Sequence, residues 1–185
     1  SQFLPKNNLR FVVGVDPFDH NRTRTGKFSQ GAAAIFMKFD PLNTELSDNF
    51  VGYYLGRPAS SGIFYDDMVK LCHWLSCWML YEDNKPKIGD HFIDNGYGAF
   101  LMRDEKGNPG IPASPKTHQI LAEHLETHIE ENCHRTKFLR MLKDWKELDL
   151  DFTTDFDLGM ASGYALIGRS RIMGREKLIS KINKA

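Results

Sequence analysis

The sequence carries no excess of charge of either sign, because 24 lysine and arginine residues are matched by 24 aspartate and glutamate residues in a chain of 185. This balance argues against a protein that coats nucleic acid through bulk positive charge. It does not argue against a local acidic site with basic residues around it. Hydrophobic residues make up 41% of the chain, which is typical of a globular protein and excludes a disordered one.

Cysteine and long apolar runs are also scarce. The three cysteines, Cys72, Cys77 and Cys133, are too few for the disulfide framework of a small secreted domain, so we expect free thiols in a reducing compartment. No apolar run approaches the roughly 18 to 20 residues of a membrane-spanning helix, so we expect no membrane partner. We find no internal repeat or linker, and residues 1–185 are predicted to form one domain.

Short apolar segments followed by helical patterns predict an α/β domain. Strands are predicted over residues 11–16, 31–39, 50–55, 77–81 and 99–102, and helices over 65–75, 86–92, 118–133, 138–148 and from about 155. For residues 77–81, a continuation of the preceding helix is the alternative interpretation. Thr153 or Thr154 is the expected N-cap of the last helix.

Three acidic residues stand at the ends of these apolar elements. Asp16 closes the first predicted strand, Glu82 follows the fourth, and Asp157 lies in the first turn of the last helix. A carboxylate in such a place costs desolvation energy unless it is paired or binds a cation. Oxygen ligands from separate elements suit Mg²⁺ or Mn²⁺, and two such ions about 3.5 to 4 Å apart hold a phosphodiester for hydrolysis. No protein nucleophile is then required.

Solubility and helix capping are the alternative explanation for acids in these places, and spacing alone does not decide between the two. Four other acids are near enough in sequence to replace or assist the main three, namely Asp19, Asp83, Asp151 and Asp155. Whether Asp155 or Asp157 faces the site depends on one turn of helix rotation, which the sequence leaves open.

Four segments resemble the nuclease domain of the large terminase subunit of tailed phages. VVGVDPF at residues 12–18 is similar to that family's opening strand, which ends in an aspartate and a proline. GAAAIFMKF at residues 31–39 is similar to its small-residue second strand, and LYEDN at residues 80–84 to its central strand closed by an acid. TDFDLGMASGYAL at residues 154–166 resembles its last helix, in which small residues pack against the sheet.

The resemblance implies a ribonuclease H-like fold, with a central mixed β-sheet flanked by α-helices. It implies an endonuclease that cuts concatemeric double-stranded viral DNA during genome packaging, with two Mg²⁺ or Mn²⁺ ions and no other cofactor. Asp16, Glu82 and Asp157 then take the catalytic metal-ligand roles, and Asp155 is a weaker candidate for a fourth ligand. The implied partners are an ATPase domain in the same full-length chain, the portal protein and the small terminase subunit, in the host cytoplasm at the procapsid portal.

The chain departs from the family pattern in two places. Many family members have a further aspartate near the start of the second strand, where residues 27–30 here read KFSQ. A large terminase also has an ATPase motor, but TGKF at residues 25–28 lacks the first glycine and the closing serine or threonine of a P-loop. We therefore expect this chain to be the nuclease part of a longer protein.

Basic residues occur in two places where they suit DNA contact. Arg22, Arg24 and Lys27 follow Asp16 in a predicted hairpin loop and are candidates for gripping phosphates, with a solvated loop as the alternative. The tail over about 169–185 is also basic, and a partly frayed terminus is favoured there over DNA or subunit binding. His124 and His128 have a spacing compatible with zinc, but no third ligand accompanies them.

Two other functions are compatible with the same acids. A Holliday-junction resolvase or a ribonuclease H-type nuclease would keep the fold and change the substrate. A non-catalytic docking module for DNA or portal would bind DNA without cutting it. No major-groove reading module is recognisable in the sequence, so cutting is expected to show little sequence specificity.

Overall fold

The computed structural model describes residues 3–6, 10–18, 29–83 and 87–182. The strands are β1 Phe11–Asp16, β2 Gly31–Met37, β3 Asn49–Gly56 and β4 Trp78–Tyr81. The α-helices are α1 Ser61–Leu75, α2 Lys87–Asp94, α3 Pro115–Asn132, α4 Leu139–Glu147 and α5 Asp157–Ile182. Short 3-10 helical turns cover Gly98–Phe100, Cys133–Arg135 and Leu150–Asp155.

The described strands form one mixed sheet in the order β3-β2-β1-β4. β1 and β2 pair antiparallel, β2 and β3 pair antiparallel, and β1 and β4 pair in parallel. A parallel pair requires a long crossover, and α1 provides it between β3 and β4. The fold is therefore α/β with a mixed sheet flanked by helices, as the sequence predicts.

Side-chain alternation along the strands divides the core into two layers. On one face Val12, Ala32 and Leu80 belong to a cluster with residues of α3, α4 and α5. On the other face Val13 and Met79 belong to a second cluster, with residues of α1 and α2. Because both faces of the sheet are covered, β1 and β2 are buried along almost their whole length, which explains their continuous apolar sequences.

Helix α5 lies unusually close to β1 because small residues face each other. A Cβ atom added at Gly14 would lie 2.1 Å from the backbone oxygen of Ala161 and 2.1 Å from the backbone nitrogen of Ala165. Further along, Gly168 approaches a methyl group of Val12. The helix therefore runs antiparallel to β1, and its first residues lie at the sheet edge where β1 ends.

The fifth predicted strand is wrong. Residues 98–100 form a 3-10 turn, and Leu101 makes only an isolated parallel bridge with Met79. The chain then turns back at Asp104, whose backbone nitrogen donates a 2.8 Å hydrogen bond to the carbonyl of Asn108. Ile111 returns to the same edge and donates from its backbone nitrogen to the carbonyl of Tyr81. Two separate contacts thus cover β4 in place of one strand.

Helix α1 begins at Ser61, four residues before the predicted start, because Ser60 acts as its N-cap and accepts a hydrogen bond from the backbone nitrogen of Ile63. The prediction missed this because Ser60 and Gly62 resemble loop residues when read without their contacts. Among the described residues, no helix has the length and apolar character needed to cross a membrane.

At the end of the sheet where β1 begins, His128 is buried among aromatic rings. Its ring centroid lies 5.7 Å from that of Phe36, 5.1 Å from that of Phe50 and 5.8 Å from that of Trp145. Within the described part of the chain its Nε2 atom has no hydrogen-bond partner. Burial lowers the pKa of His128 to about 4, which fits a neutral core histidine better than a zinc ligand.

This burial makes stability depend on pH. Unfolded His128 takes up a proton near pH 6.5, whereas the folded protein takes it up only near pH 4. The nearby Asp48 carboxylate raises the pKa, while Arg169 and Arg135 lower it further. Stability is therefore lost as pH falls between these values, and we expect wild type to lose up to about 3 kcal/mol more than His128→Phe.

Urea unfolding at several pH values measures this difference. The exposed His134 offers a control, because His134→Gln should retain the pH dependence of wild type. Parallel stability curves for wild type and His128→Phe would contradict the expectation.

Candidate functional site

Asp16 and Glu82 lie side by side at the end of the sheet where β1 and β4 stop. We call this end, marked by Asp16, Glu82 and Asp157, the acidic edge. Val15 pairs with Tyr81 in the parallel register of β1 and β4. Asp16 directly follows Val15, and Glu82 directly follows Tyr81. Neighbouring strands lie about 4.8 Å apart, and alternation directs both side chains toward the α5 face. Both residues are buried, with exposed fractions of 5% and 8%. Two carboxylates thus converge in a place with little access to water.

Asp157 reaches the same edge from the helix side. It is the first residue of α5, and its Oδ2 atom accepts a 2.8 Å hydrogen bond from the backbone nitrogen of Gln30. Gln30 directly precedes β2, in which Ala32 pairs with Asp16. The topology therefore brings the three predicted acids to one end of the sheet. Asp155 belongs to the preceding 3-10 turn, whereas Asp157 begins α5.

The start of α5 is anchored by a buried acid that sequence reasoning missed. The Oδ2 atom of Asp144, in α4, accepts a 3.2 Å hydrogen bond from the backbone nitrogen of Leu158, and Gly159 donates to the same carboxylate. Burial raises the pKa of Asp144, while the Arg140 guanidinium and these two donors lower it. The predicted threonine cap is therefore wrong, because a side chain from another helix fills that role.

Tyr164 lies in α5, on the helix face that packs against the sheet, close to the two strand-end acids. It is fully buried, and in the described structure its hydroxyl makes no hydrogen bond of good geometry. Burial raises the pKa of the Tyr164 phenol well above its ordinary value, and the nearby charges of Asp16 and Glu82 act in the same direction. The hydroxyl lies close to the Glu82 carboxylate and, with its raised pKa, stays protonated.

The acids do not form a ready-made metal cluster. Among the residues that the structure describes, no group of three or more His, Cys, Asp or Glu side chains is arranged to hold a metal ion. One oxygen of Asp157 is engaged by the Gln30 backbone nitrogen.

A basic residue at this edge was also missed. Arg57 follows β3, whose last residue Gly56 pairs with Gly31 at the start of β2. Its guanidinium lies 4.7 Å from the centroid of the Phe18 ring and donates from Nη1 to the carbonyl of Ser29. The signal was weak because Arg57 adjoins a proline in a turn, and its partners are separated from it by 28 or more residues.

The other predicted contacts are not at this edge or lie outside the described part. Arg22, Arg24, Lys27 and Asp19 fall outside the described residues. The basic tail belongs to α5 as far as Ile182, and residues 183–185 lie outside the described part of the chain. Arg169, its first basic residue, forms an ion pair with Asp48. Asp48 adjoins the start of β3, at the opposite edge of the sheet, so the tail starts far from the acids.

No protein-family model matches the chain, and no curated protein is significantly similar to it in sequence.

Proposed function

We propose that this protein is a metal-dependent endonuclease that hydrolyses double-stranded DNA from a ribonuclease H-like sheet. The observation that carries the proposal is the pair of buried carboxylates, Asp16 and Glu82, on one face at the ends of adjacent parallel strands. Asp157 reaches the same edge, and the Tyr164 hydroxyl lies below the pair. Solubility or capping does not explain two acids that are almost completely buried.

The donor chemistry of these residues fits Mg²⁺ or Mn²⁺, because all three side chains offer hard oxygen ligands. Asp16 and Glu82 would hold the cation from the sheet. Asp157 would complete the set from the start of α5. The buried phenol of Tyr164 supports this fit, since a donor next to a ligating carboxylate is the usual means of orienting it.

The chain's own residues contribute orientation and charge. When bound, the cations supply Lewis-acid stabilisation of the phosphate and an activated water. Tyr164 lies close to Glu82 and would donate its hydroxyl to that carboxylate, which would limit its rotation. Asp144 accepts hydrogen bonds from the first turn of α5 and so fixes the start of the helix that carries Asp157. A phosphodiester at this end of the sheet would therefore meet carboxylates held by both the strands and the helix.

The biological setting rests on the resemblance to phage terminase nucleases. In that setting the substrate is concatemeric viral DNA at the procapsid portal in the host cytoplasm. The ATPase domain of the same full-length chain, the portal protein and the small terminase subunit would decide where the cut falls. The sequence contains no recognisable major-groove reading module, which agrees with cutting that is positioned by partners.

The test is a cleavage assay with the wild-type protein in Mn²⁺, in Mg²⁺ and in EDTA. Supercoiled plasmid, linear duplex, a four-way junction and an RNA–DNA hybrid are compared as substrates. We expect metal-dependent nicking and linearisation of plasmid, with no preference for the junction or the hybrid. Strong preference for either would reassign the substrate, and DNA binding without cleavage in either metal would identify a docking module instead.

Tyr164→Phe tests whether the buried hydroxyl orients the metal ligands. We expect it to weaken Mn²⁺ binding about ten- to a hundredfold, as is typical when a donor behind a ligand is removed. Titration calorimetry or Mn²⁺ electron paramagnetic resonance measures the affinity. Tyr81→Phe is a matched control, because the Tyr81 hydroxyl lies on the other face of the sheet against Gly89. Equal weakening in both variants would contradict the proposed role.

A further inference from the structure

Arg57 is a described basic side chain at the end of the sheet where the acids lie. β3 runs parallel to β1 because each pairs antiparallel with β2. The carboxyl ends of β1 and β3 therefore lie at the same edge of the sheet, and Arg57 directly follows β3. Gly31 pairs with Gly56, and the next residue of β2, Ala32, pairs with Asp16. The strand β2 alone separates the arginine from the acid.

Two neighbours hold the Arg57 guanidinium in place. The ring of Phe18, two residues after Asp16, lies 4.7 Å from it, and the carbonyl of Ser29 accepts a hydrogen bond from Nη1. The next residue, Gln30, donates its backbone nitrogen to Asp157. The same two-residue segment therefore connects Arg57 on one side with the acidic helix start on the other.

The position of the Arg57 guanidinium between these two neighbours suits recognition of phosphate. A planar guanidinium stacked on an aromatic ring loses little further conformational freedom when it binds, and its fork of donors matches two phosphate oxygens. The side chain is only half-buried, so a ligand can approach it. A cation at this edge also offsets the repulsion between the acids and a polyanionic backbone.

We propose that Arg57 binds a backbone phosphate of the DNA strand that lies across the acidic edge, and so positions this strand for cutting. The inference rests on the proposed nuclease function. Phosphate contacts position a nucleic acid without reading its sequence, which agrees with a nuclease directed by its partners. Arg57 is thus a positioning residue for the substrate and does not act as a metal ligand.

The salt dependence of DNA binding tests this role. The probe is a fluorescein-labelled DNA duplex, with Ca²⁺ in place of Mn²⁺ so that the strand stays intact. Each phosphate contact contributes about 0.9 to the slope of log affinity against log salt concentration. We expect Arg57→Gln to reduce that slope by about 0.9, whereas Arg57→Lys keeps the charge and the slope of wild type.

Arg10 provides the matched control. It directly precedes β1 at the opposite edge of the sheet, where it pairs with Asp40 at 3.0 Å. Arg10→Gln should leave the slope unchanged. A merely structural Arg57 would lower the melting temperature of Arg57→Gln without changing the slope, and this result would overturn the proposal. An equal fall in Arg57→Gln and Arg57→Lys would also overturn it, because the charge would then not be the cause.

The nuclease proposal fails by a different result. Wild type that neither binds nor cuts DNA would overturn both proposals. Wild type that cuts DNA, with an unchanged slope in Arg57→Gln, would overturn the role of Arg57 alone.

Discussion

Asp16→Asn should reduce Mn²⁺-dependent nicking of plasmid by at least about a thousandfold. A bound metal contributes several kcal/mol of charge stabilisation in the transition state, and each 1.36 kcal/mol is about tenfold in rate. The amide keeps the shape of the side chain but removes the charge that binds the cation. Because Asp16 is buried beside Glu82, no exposed residue can take over its position.

The loss must be separable from unfolding. Removing one charge from a buried acidic pair relieves repulsion, so Asp16→Asn should melt no lower than wild type without metal. Wild type should gain about 3 kcal/mol at Mn²⁺ concentrations near one hundred times its dissociation constant, and the variant should gain far less. Calorimetric melting with and without Mn²⁺ records both quantities.

Asp40→Asn is the control variant, because it removes a carboxylate that lies far from the proposed metal site. Asp40 follows β2 at the opposite edge of the sheet, where it pairs with Arg10. Its nicking rate should stay within a factor of two of wild type, to a rough approximation. Full nicking by Asp16→Asn would remove the metal site from the edge described here. Comparable loss in both variants would point to a general effect of charge.

The two acids at strand ends were predictable because an apolar run that stops at an acidic residue can be recognised in the sequence alone. Asp16 and Glu82 each close such a run, and parallel pairing then brings them together. Asp157 was harder to assign, since Asp155 lies two residues away. The hydrogen bond from Gln30 to Asp157 joins residues 127 positions apart, and such a contact has no local sequence signal.

The residues that support the site were not predictable for the same reason. Tyr164 looks like one more apolar residue on the buried face of a helix, and only the fold shows that its hydroxyl lies near Asp16 and Glu82. Asp144 looks like a surface acid in an amphipathic helix, yet it caps a different helix. The wrong fifth strand has a related cause, since the short apolar run at residues 99–102 is equally suited to the 3-10 turn and the isolated Leu101 bridge observed there.

Gly14→Ala should lower the free energy of unfolding by at least about 3 kcal/mol, at the upper end of the range for overpacked cores. The added methyl group would lie 2.1 Å from two backbone atoms of α5, in Ala161 and Ala165. Backbone cannot rotate away as a side chain does, so the helix itself must move from β1. Urea unfolding measures the loss.

The same displacement should affect the site. Asp157 begins the helix that Gly14→Ala displaces, one turn before Ala161, so nicking should fall further than the folded fraction explains.

Gly62→Ala is the matched control, because its added methyl group would lie 3.8 Å from the nearest atom, the Ser60 hydroxyl oxygen. That variant should be as stable as wild type or more stable by up to about 1 kcal/mol. If both variants unfold at the same urea concentration, the close approach of α5 to β1 is not what positions Asp157. The third acid would then need another support, because the hydrogen bond from Gln30 and the cap from Asp144 both depend on where that helix lies.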